Sequence, residues 1–279
     1  MSADAVVPPG FVAGMVAADL DGTLLAPDLS FAEGLPRALT RLRSEGARTV
    51  ICTGRMLRSA RLVAARLGIH GGPIVCYQGA LVADLAGGEE LRHVRMDGRI
   101  AGEVVRHVKA MGRHLNAYID DLLYVERVTE WARRYAEQVE VGIQVVGDMA
   151  TEVERRPPTK LVLVTSAADV EEILPGLQQR WHGRLYVTRS QAEYIEITDA
   201  SVSKSGALAW LCRRLGVARE QVMALGDGMN DVDMLEWAGL GVAVAEAAEP
   251  VRASADVVVP RAAIPALLDG LAGPASAPK

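Results

Sequence analysis

Aromatic side chains are scarce in this 279-residue chain, at 4% with only two Phe, so any core must be built mainly from Ala, Val and Leu. Three cysteines, Cys52, Cys76 and Cys212, form no CxxC pair and lie in apolar stretches. That spacing excludes a disulfide framework or a cysteine-ligated metal and suits small buried hydrophobes in a reducing compartment. The five histidines, His70, His93, His107, His114 and His182, lack metal-ligand spacing. No basic excess exists: the formal net charge is −5, which argues against a nucleic-acid partner. No uninterrupted apolar run approaches the ~18 residues of a membrane span. The start of the sequence carries Asp4 and no basic stretch, unlike a secretory signal. The expected location is the cytoplasm. Lysine and asparagine are also rare, with 4 Lys against 26 Arg and only 2 Asn. In such a background Lys204 and Asn230 are less arbitrary than they would be elsewhere.

The most informative feature present is Asp19-Leu20-Asp21-Gly22-Thr23, directly after an apolar run from Phe11 to Ala18 that reads as a buried strand. Two carboxylates two apart at a strand end project from the same side if the strand geometry persists. One could attack a substrate and the other move protons. Further along, Leu35–Glu45 has helical spacing and stops at Gly46, Arg48–Cys52 is a strand, Leu57–Leu67 a helix closed by Gly68, and Pro73–Tyr77 a third strand. This β-α-β-α-β rhythm predicts a parallel sheet flanked by helices. From about Asp84 to Thr198 the strands become half polar, as in Leu91-Arg92-His93-Val94-Arg95. Helices are expected near Ile100–Met111, Glu130–Val139 and Ala168–Trp181, the last weakened by Pro175. Strands are expected near Asn116–Val125, Leu161–Thr165, Leu185–Thr188 and Tyr194–Ile197. Such a mixture suits an α+β unit with an antiparallel sheet. The parallel pattern then returns, with a helix over Ser203–Leu215, a strand over Gln221–Leu225, a helix over Asn230–Trp237 and short strands at Leu240–Ala245 and Asp256–Val259. The last stretch, Gly273–Lys279, reads as a disordered tail.

The expected fold is therefore α/β: a Rossmann-like parallel sheet core, residues 1–83 and 199–279, with an inserted α+β domain over residues 84–198. Ligands in such sheets bind beyond the carboxyl ends of the strands. Each unusual cluster falls there. Strand one ends at Asp19 and Asp21, strand two at Thr53-Gly54-Arg55, a helix begins near Lys204, and a fourth strand ends at Gly226-Asp227-Gly228-Met229-Asn230-Asp231. Asp19, Asp21, Asp227 and Asp231 on one edge need a cation, and all-oxygen donors favour Mg²⁺ over Zn²⁺. Mg²⁺ commonly takes part of its shell from phosphate, and Lys204, Thr53, Asn230 and loop N–H groups would bind phosphate oxygens. The pattern reads as phosphoryl transfer. The GxGxxG-like start at Gly226 carries acidic residues that would repel a pyrophosphate, and no GxxxxGK[ST] occurs, which excludes a P-loop enzyme.

Taken in order, Asp-Leu-Asp-Gly-Thr-Leu, Thr-Gly-Arg, Lys204 and Gly-Asp-Gly-Met-Asn-Asp resemble the four motifs of the haloacid dehalogenase-like phosphatase superfamily. The insertion before Lys204 resembles the large cap domain of its Cof-type branch. The resemblance implies that Asp19 attacks phosphorus to form an aspartyl-phosphate. It implies that Asp21 protonates the leaving oxygen and then activates water. Mg²⁺ would be held by Asp19, the Asp21 carbonyl and Asp227, with Asp231 in support. Thr53, Gly54, Lys204 and Asn230 would bind the phosphoryl group. The implied substrate is a small phosphorylated metabolite, a sugar phosphate or a phosphorylated cofactor, with no nucleic-acid or membrane partner and a monomeric or homodimeric state. A phosphohexomutase and a phosphate-sensing module without turnover are the alternatives. Two stretches depart from the branch: Tyr77-Gln78-Gly79-Ala80 after strand three and Ala245-Glu246-Ala247 after the fourth motif. Neither is expected to touch the catalytic set. Arg189, Glu193 and Tyr194 are candidate substrate contacts in the inserted domain.

Overall fold

The structure is a computed structural model and describes Val7, Pro8 and residues 10–271. The expected tail, Gly273–Lys279, lies outside the described residues. In chain order the strands are β1 (Met15–Ala18), β2 (Arg48–Ile51), β3 (Pro73–Cys76), β4 (Leu81–Asp84), β5 (Glu90–His93), β6 (His114–Ile119), β7 (Leu122–Val125), β8 (Ile143–Val145), β9 (Lys160–Val164), β10 (Leu185–Gln191), β11 (Tyr194–Asp199), β12 (Val222–Gly226), β13 (Leu240–Val244) and β14 (Val257–Val259). The chain divides into two compact units. One takes the chain up to Thr53, Ala60–Glu90 and the chain from Ser203 onward; the other takes Gly54–Ser59 and Leu91–Val202.

The first unit is built on a sheet of order β14-β13-β12-β1-β2, parallel throughout. Every residue of β1, β12 and β13 is buried, as expected for strands covered on both faces. Cys52 bridges Val75 in parallel, which ties β3 to the end of β2, and β3 then pairs antiparallel with β4. The first strand starts later than its apolar run suggests. Met15 is the first residue matched by both neighbours, Val222 and Arg48, and Gly14 before it adds one bond on each side, its N–H on the Gln221 carbonyl at 2.9 Å and its carbonyl accepting from the Arg48 N–H at 3.0 Å. Glycines with positive φ follow the predicted helix ends: Gly46 at 96° after Leu35–Ser44 and Gly68 at 71° after Leu57–Arg66.

The second unit carries a sheet of order β10-β11-β9-β6-β7-β8, antiparallel except for the parallel β7–β8 pair. Its strands alternate. Leu115, Ala117 and Ile119, Leu161 and Leu163, Leu185 and Val187, and Ile195 and Ile197 all join one apolar cluster. The residues between them put Asn116, Tyr118, Lys160, Glu196 and Thr198 on the opposite face. Helices Gly98–Ala110, Met149–Arg155 and Ala167–Arg180 feed Val104, Val153, Leu177 and their neighbours into that cluster. Pro175 does not interrupt the last helix. The segment expected as one strand over Asn116–Val125 is a hairpin, β6–β7, turned at Asp120 and Asp121 with φ of 49° and 56°. Both residues are left-handed, as a two-residue hairpin turn requires, but neither is the Gly or Asn that usually announces it. No helix among the described residues is long and apolar enough to cross a membrane.

Trp181 closes the helix Ala167–Arg180, is only 1% exposed and lies edge-on to His107 at 5.2 Å. Trp181→Ala is expected to destabilise this unit by about 3–5 kcal/mol. Urea unfolding followed by circular dichroism would measure it, and an unchanged midpoint would contradict the packing described.

Candidate active site

The sheet of the first unit delivers its loops to one edge because all five strands run the same way. Asp19 follows β1 and its N–H bonds the Leu225 carbonyl of β12 at 2.9 Å. That bond carries the ladder one residue beyond the strand and fixes where the Asp19 side chain starts. The chain then folds back, with Leu25 N–H on the Leu20 carbonyl at 2.7 Å and Gly22 N–H on the Leu25 carbonyl at 2.9 Å. Asp19 is buried, Leu20 fully so, and Asp21 is exposed.

Lys204 is the first residue of the helix Lys204–Leu215, whose N-cap Ser203 accepts from the Gly206 N–H at 3.0 Å. An ammonium at a helix N-terminus opposes the helix dipole. Two carboxylates outweigh that: Lys204 Nζ donates to Asp19 Oδ1 at 2.7 Å and to Asp231 Oδ1 at 2.5 Å. The second oxygen of Asp231 accepts from the N–H groups of Asp227 and Gly228 at 3.0 and 2.8 Å, winding the Gly226–Asp231 loop around that carboxylate. Asp227 Oδ1 accepts from the Thr23 hydroxyl at 2.7 Å, so the first and fourth sequence clusters are joined directly. Asp19, Asp227 and Asp231 each offer an oxygen within 4.8 Å of the others, the only such metal-capable group found among the described residues. Asp21 stands outside it.

Electrostatics follow from burial. Desolvation pushes Asp19 well above the usual carboxylate range, Lys204 pulls it down, and Asp231, Asp227 and Asp21 push it up again. Asp227 is pushed up to about 6, mainly by burial, with Asp231 adding to the rise and the Thr23 hydrogen bond opposing it. For Lys204 burial acts to lower the pKa, but Asp19 and Asp231 outweigh it and hold the ammonium charged. One ammonium among three carboxylates leaves an excess of negative charge. All-oxygen donors at this spacing fit a hard divalent cation.

Glycine is required where these loops touch. A Cβ on Gly22, whose φ is 89°, would lie 2.0 Å from Asp227 Oδ2, and one on Gly226 would lie 2.5 Å from the Asp231 Cβ. Thr53 is buried, its N–H on the Val75 carbonyl at 2.9 Å and its carbonyl accepting from the Gln78 N–H at 3.1 Å. Asn230 donates to Gln78 Oε1 at 3.0 Å. Gln78 therefore touches a predicted site residue, contrary to the expectation for Tyr77-Gln78-Gly79-Ala80. Tyr77 and Gln78 both hold left-handed φ, 52° and 59°; buried non-glycine residues in that region mark a constrained backbone. The other departing stretch is also connected. Glu246 accepts from the Arg261 N–H at 3.2 Å, and Arg261 Nε donates to the Gly22 carbonyl at 2.8 Å. Nothing in the sequence reading pointed to Arg261, one of 26 arginines. In the second unit, Arg189 pairs with Glu171, Glu193 with Arg134 and the Tyr194 hydroxyl with Gln138.

A family model for haloacid dehalogenase-like hydrolases matches residues 16–269, and the chain belongs to that family. With the carboxylate cluster in place, it is a phosphoric monoester hydrolase of that superfamily, built as a core with a cap domain. The chain is 30% identical over 247 residues to the phosphoglycolate phosphatase of Methanopyrus kandleri, covering 88% of this chain and 90% of that one. It is 26% identical over 257 residues to the pyridoxal phosphate phosphatase YbhA of Escherichia coli, covering 88% and 92%. The crystal structure of TM0651 from Thermotoga maritima superposes with a TM-score of 0.83 at 30% identity, covering 93% of this chain and 97% of that one.

Gly22→Ala must displace Asp227 and place alanine at positive φ. It is expected to cost about 1–3 kcal/mol and to abolish most phosphatase activity. Urea unfolding and an aryl-phosphate assay would check both, and wild-type values in each would show that Asp227 does not lie against this glycine.

Proposed function

We propose that the chain is a Mg²⁺-dependent phosphatase of the Cof-type branch that hydrolyses a small phosphorylated metabolite through an aspartyl-phosphate on Asp19. The observation that carries this reading is the carboxylate group of buried Asp19 and Asp231, both bonded to Lys204, with half-buried Asp227 beside them. Asp19, Asp227 and the Asp21 carbonyl would hold the ion, with Asp231 in support. When bound, it offsets the charge shared by a carboxylate nucleophile and a phosphate, which would otherwise repel each other.

The chain's own groups divide the remaining work. Asp19 Oδ attacks phosphorus, the P–O bond to the leaving group breaks, and Asp21 gives that oxygen its proton. Asp21, now a carboxylate, takes a proton from water, whose oxygen attacks phosphorus and releases phosphate and free Asp19. The split follows from burial. Asp19 is enclosed beside an ammonium, while Asp21 is exposed and can exchange protons with solvent. Thr53, the Gly54 N–H, Lys204 and Asn230 would bind the phosphoryl oxygens. The nearby relatives are named for phosphoglycolate and pyridoxal phosphate; a sugar phosphate or phosphorylated cofactor is the class proposed here.

Asp19→Asn is expected to keep the fold, because Asp231 still pairs with Lys204, and to lose turnover, because an amide cannot form the acyl-phosphate. Asp21→Asn is expected to lose about 10²–10⁴-fold, less on aryl than on alkyl esters because a good leaving group needs less protonation. Steady-state rates on both ester types, with circular dichroism as the control, decide these assignments; a folded, active Asp19→Asn protein would end the mechanism.

Metal binding should depend on pH through Asp227. Its raised pKa, about 6, favours the neutral carboxyl in the metal-free protein. Protons then compete with the ion, so Mg²⁺ affinity should fall as pH drops through about 6. Calorimetric titration with Mg²⁺ across that range tests the sign: affinity that rises in acid would remove Asp227 from the ligand set.

A further inference from the structure

Gly54–Ser59 follows Thr53 directly in the chain, yet it belongs to the same compact unit as Leu91–Val202. Two side chains account for that. Lys160, on β9, donates from Nζ to the Gly54 carbonyl at 3.0 Å. Asp121, in the β6–β7 turn, accepts from the Leu57 N–H on Oδ1 and the Arg58 N–H on Oδ2, each at 2.9 Å. Leu57 and Arg58 open the ten-residue helix Leu57–Arg66, so one carboxylate satisfies two of its four unpaired donors. The left-handed φ of Asp121 turns the chain so that this carboxylate lies across the helix start.

Lys160 is 3% exposed and pairs with Glu196 at 2.9 Å, itself 9% exposed. A buried ion pair of this kind seldom improves on apolar residues of the same volume as a source of stability. Its yield here is a directed hydrogen bond to one main-chain carbonyl. That carbonyl matters because of what lies on either side of Gly54. The Thr53 carbonyl is already held by the Gln78 N–H at 3.1 Å. With Lys160 on the Gly54 carbonyl, both peptides flanking this glycine are pinned. A trans peptide is planar, with its N–H opposed to its C=O. The Gly54 N–H is thereby directed away from Gln78 and the Arg55 N–H away from Lys160. A glycine left unpinned would sample many more orientations.

We propose that Lys160 and Asp121 are positioning residues for the phosphate-binding turn: they fix the Gly54 carbonyl and the helix start so that the N–H groups following Thr53 are preset for a phosphoryl group. This rests on the reading of Thr53 and Gly54 as phosphate binders. The two residues touch main chain, not substrate, and act through it. The same rarity that marked Lys204 marks Lys160, one of 4 lysines in a chain with 26 arginines.

The test uses the full chain. Lys160→Met/Glu196→Gln removes both buried charges together, and Asp121→Gly removes the carboxylate while accepting the left-handed φ. Orthovanadate affinity in Mg²⁺, Mg²⁺ affinity alone, melting temperature, and kcat and KM on p-nitrophenyl phosphate are read for each. Misplacement of a binding group by about an ångström typically costs on the order of 10²-fold. The expected result is a loss of about 10- to 100-fold in vanadate affinity and kcat/KM with Mg²⁺ affinity unchanged, smaller for Asp121→Gly. Vanadate affinity within about twofold of wild type in a folded variant overturns the proposal. So does a parallel loss of Mg²⁺ affinity, which would indicate general disruption. If the double variant does not fold, Asp121→Gly decides alone. Thr53→Ala separates the two levels. If it leaves vanadate affinity intact, the phosphate-binding reading itself fails and takes this inference with it. If it loses affinity while the Lys160 and Asp121 variants do not, only the positioning role is wrong.

Discussion

The bond pair from Lys204 to Asp19 and Asp231 is the interaction on which the first unit's functional edge depends. It joins residues 185 and 27 positions apart in sequence. Removing one partner of such a buried pair typically costs about 3–5 kcal/mol, because the remaining charge stays enclosed without compensation. The ammonium does not balance the site. It neutralises one carboxylate's worth of charge among three; burial first, and the neighbouring carboxylates after it, raise the pKa of Asp19 and Asp227. That imbalance is what equips the edge for a divalent cation, whose charge would offset it.

The same pair dictates the loops. For Asp231 to reach Lys204 with one oxygen and two backbone N–H groups with the other, the Gly226–Asp231 turn must close on itself within six residues. There is then no room for a Cβ at Gly226 or at Gly22 opposite Asp227. Gly79 belongs to this set as well, since a Cβ there would lie 2.2 Å from the Ser203 carbonyl, just before Lys204. The glycines are thus the spatial consequence of drawing these loops together around one ammonium, and Gly22 and Gly79 also hold positive φ, at 89° and 105°.

The parallel sheet and its edge were legible because their signals are local and repeated: short apolar strands, each ended by a cluster of Asp, Gly and Thr. Lys204 and Asn230 stood out by rarity, and the structure places both against residues from other clusters. The misses share a different cause. The β6–β7 turn uses Asp120-Asp121, which satisfy the geometry without the residues that advertise it. Gln78 looked like a harmless departure because its contact with Asn230 spans 152 positions and depends on an unusual backbone conformation. Arg261 reaches the Gly22 carbonyl across 239 positions and is hidden among many arginines. Long-range contacts to main-chain atoms leave no periodicity and no motif, so sequence patterns cannot carry them.

Among the described residues two lysines are buried, Lys160 and Lys204, bonded to a carboxylate at 2.9 and 2.7 Å. The ion pair of Lys109 with Glu126 is partly exposed, as are most of the arginine ion pairs. The difference has a physical basis. A guanidinium presents a wide planar fork suited to pairing side by side with one carboxylate, whereas an ammonium is a compact charge with three donors that can diverge. Lys204 diverges to two carboxylates and Lys160 to a carboxylate and a peptide carbonyl. Neither geometry can be met by a planar group without moving one of its partners. In a chain so strongly biased toward arginine, these two buried ammonium groups stand where donors must diverge from a single point to partners far apart in sequence.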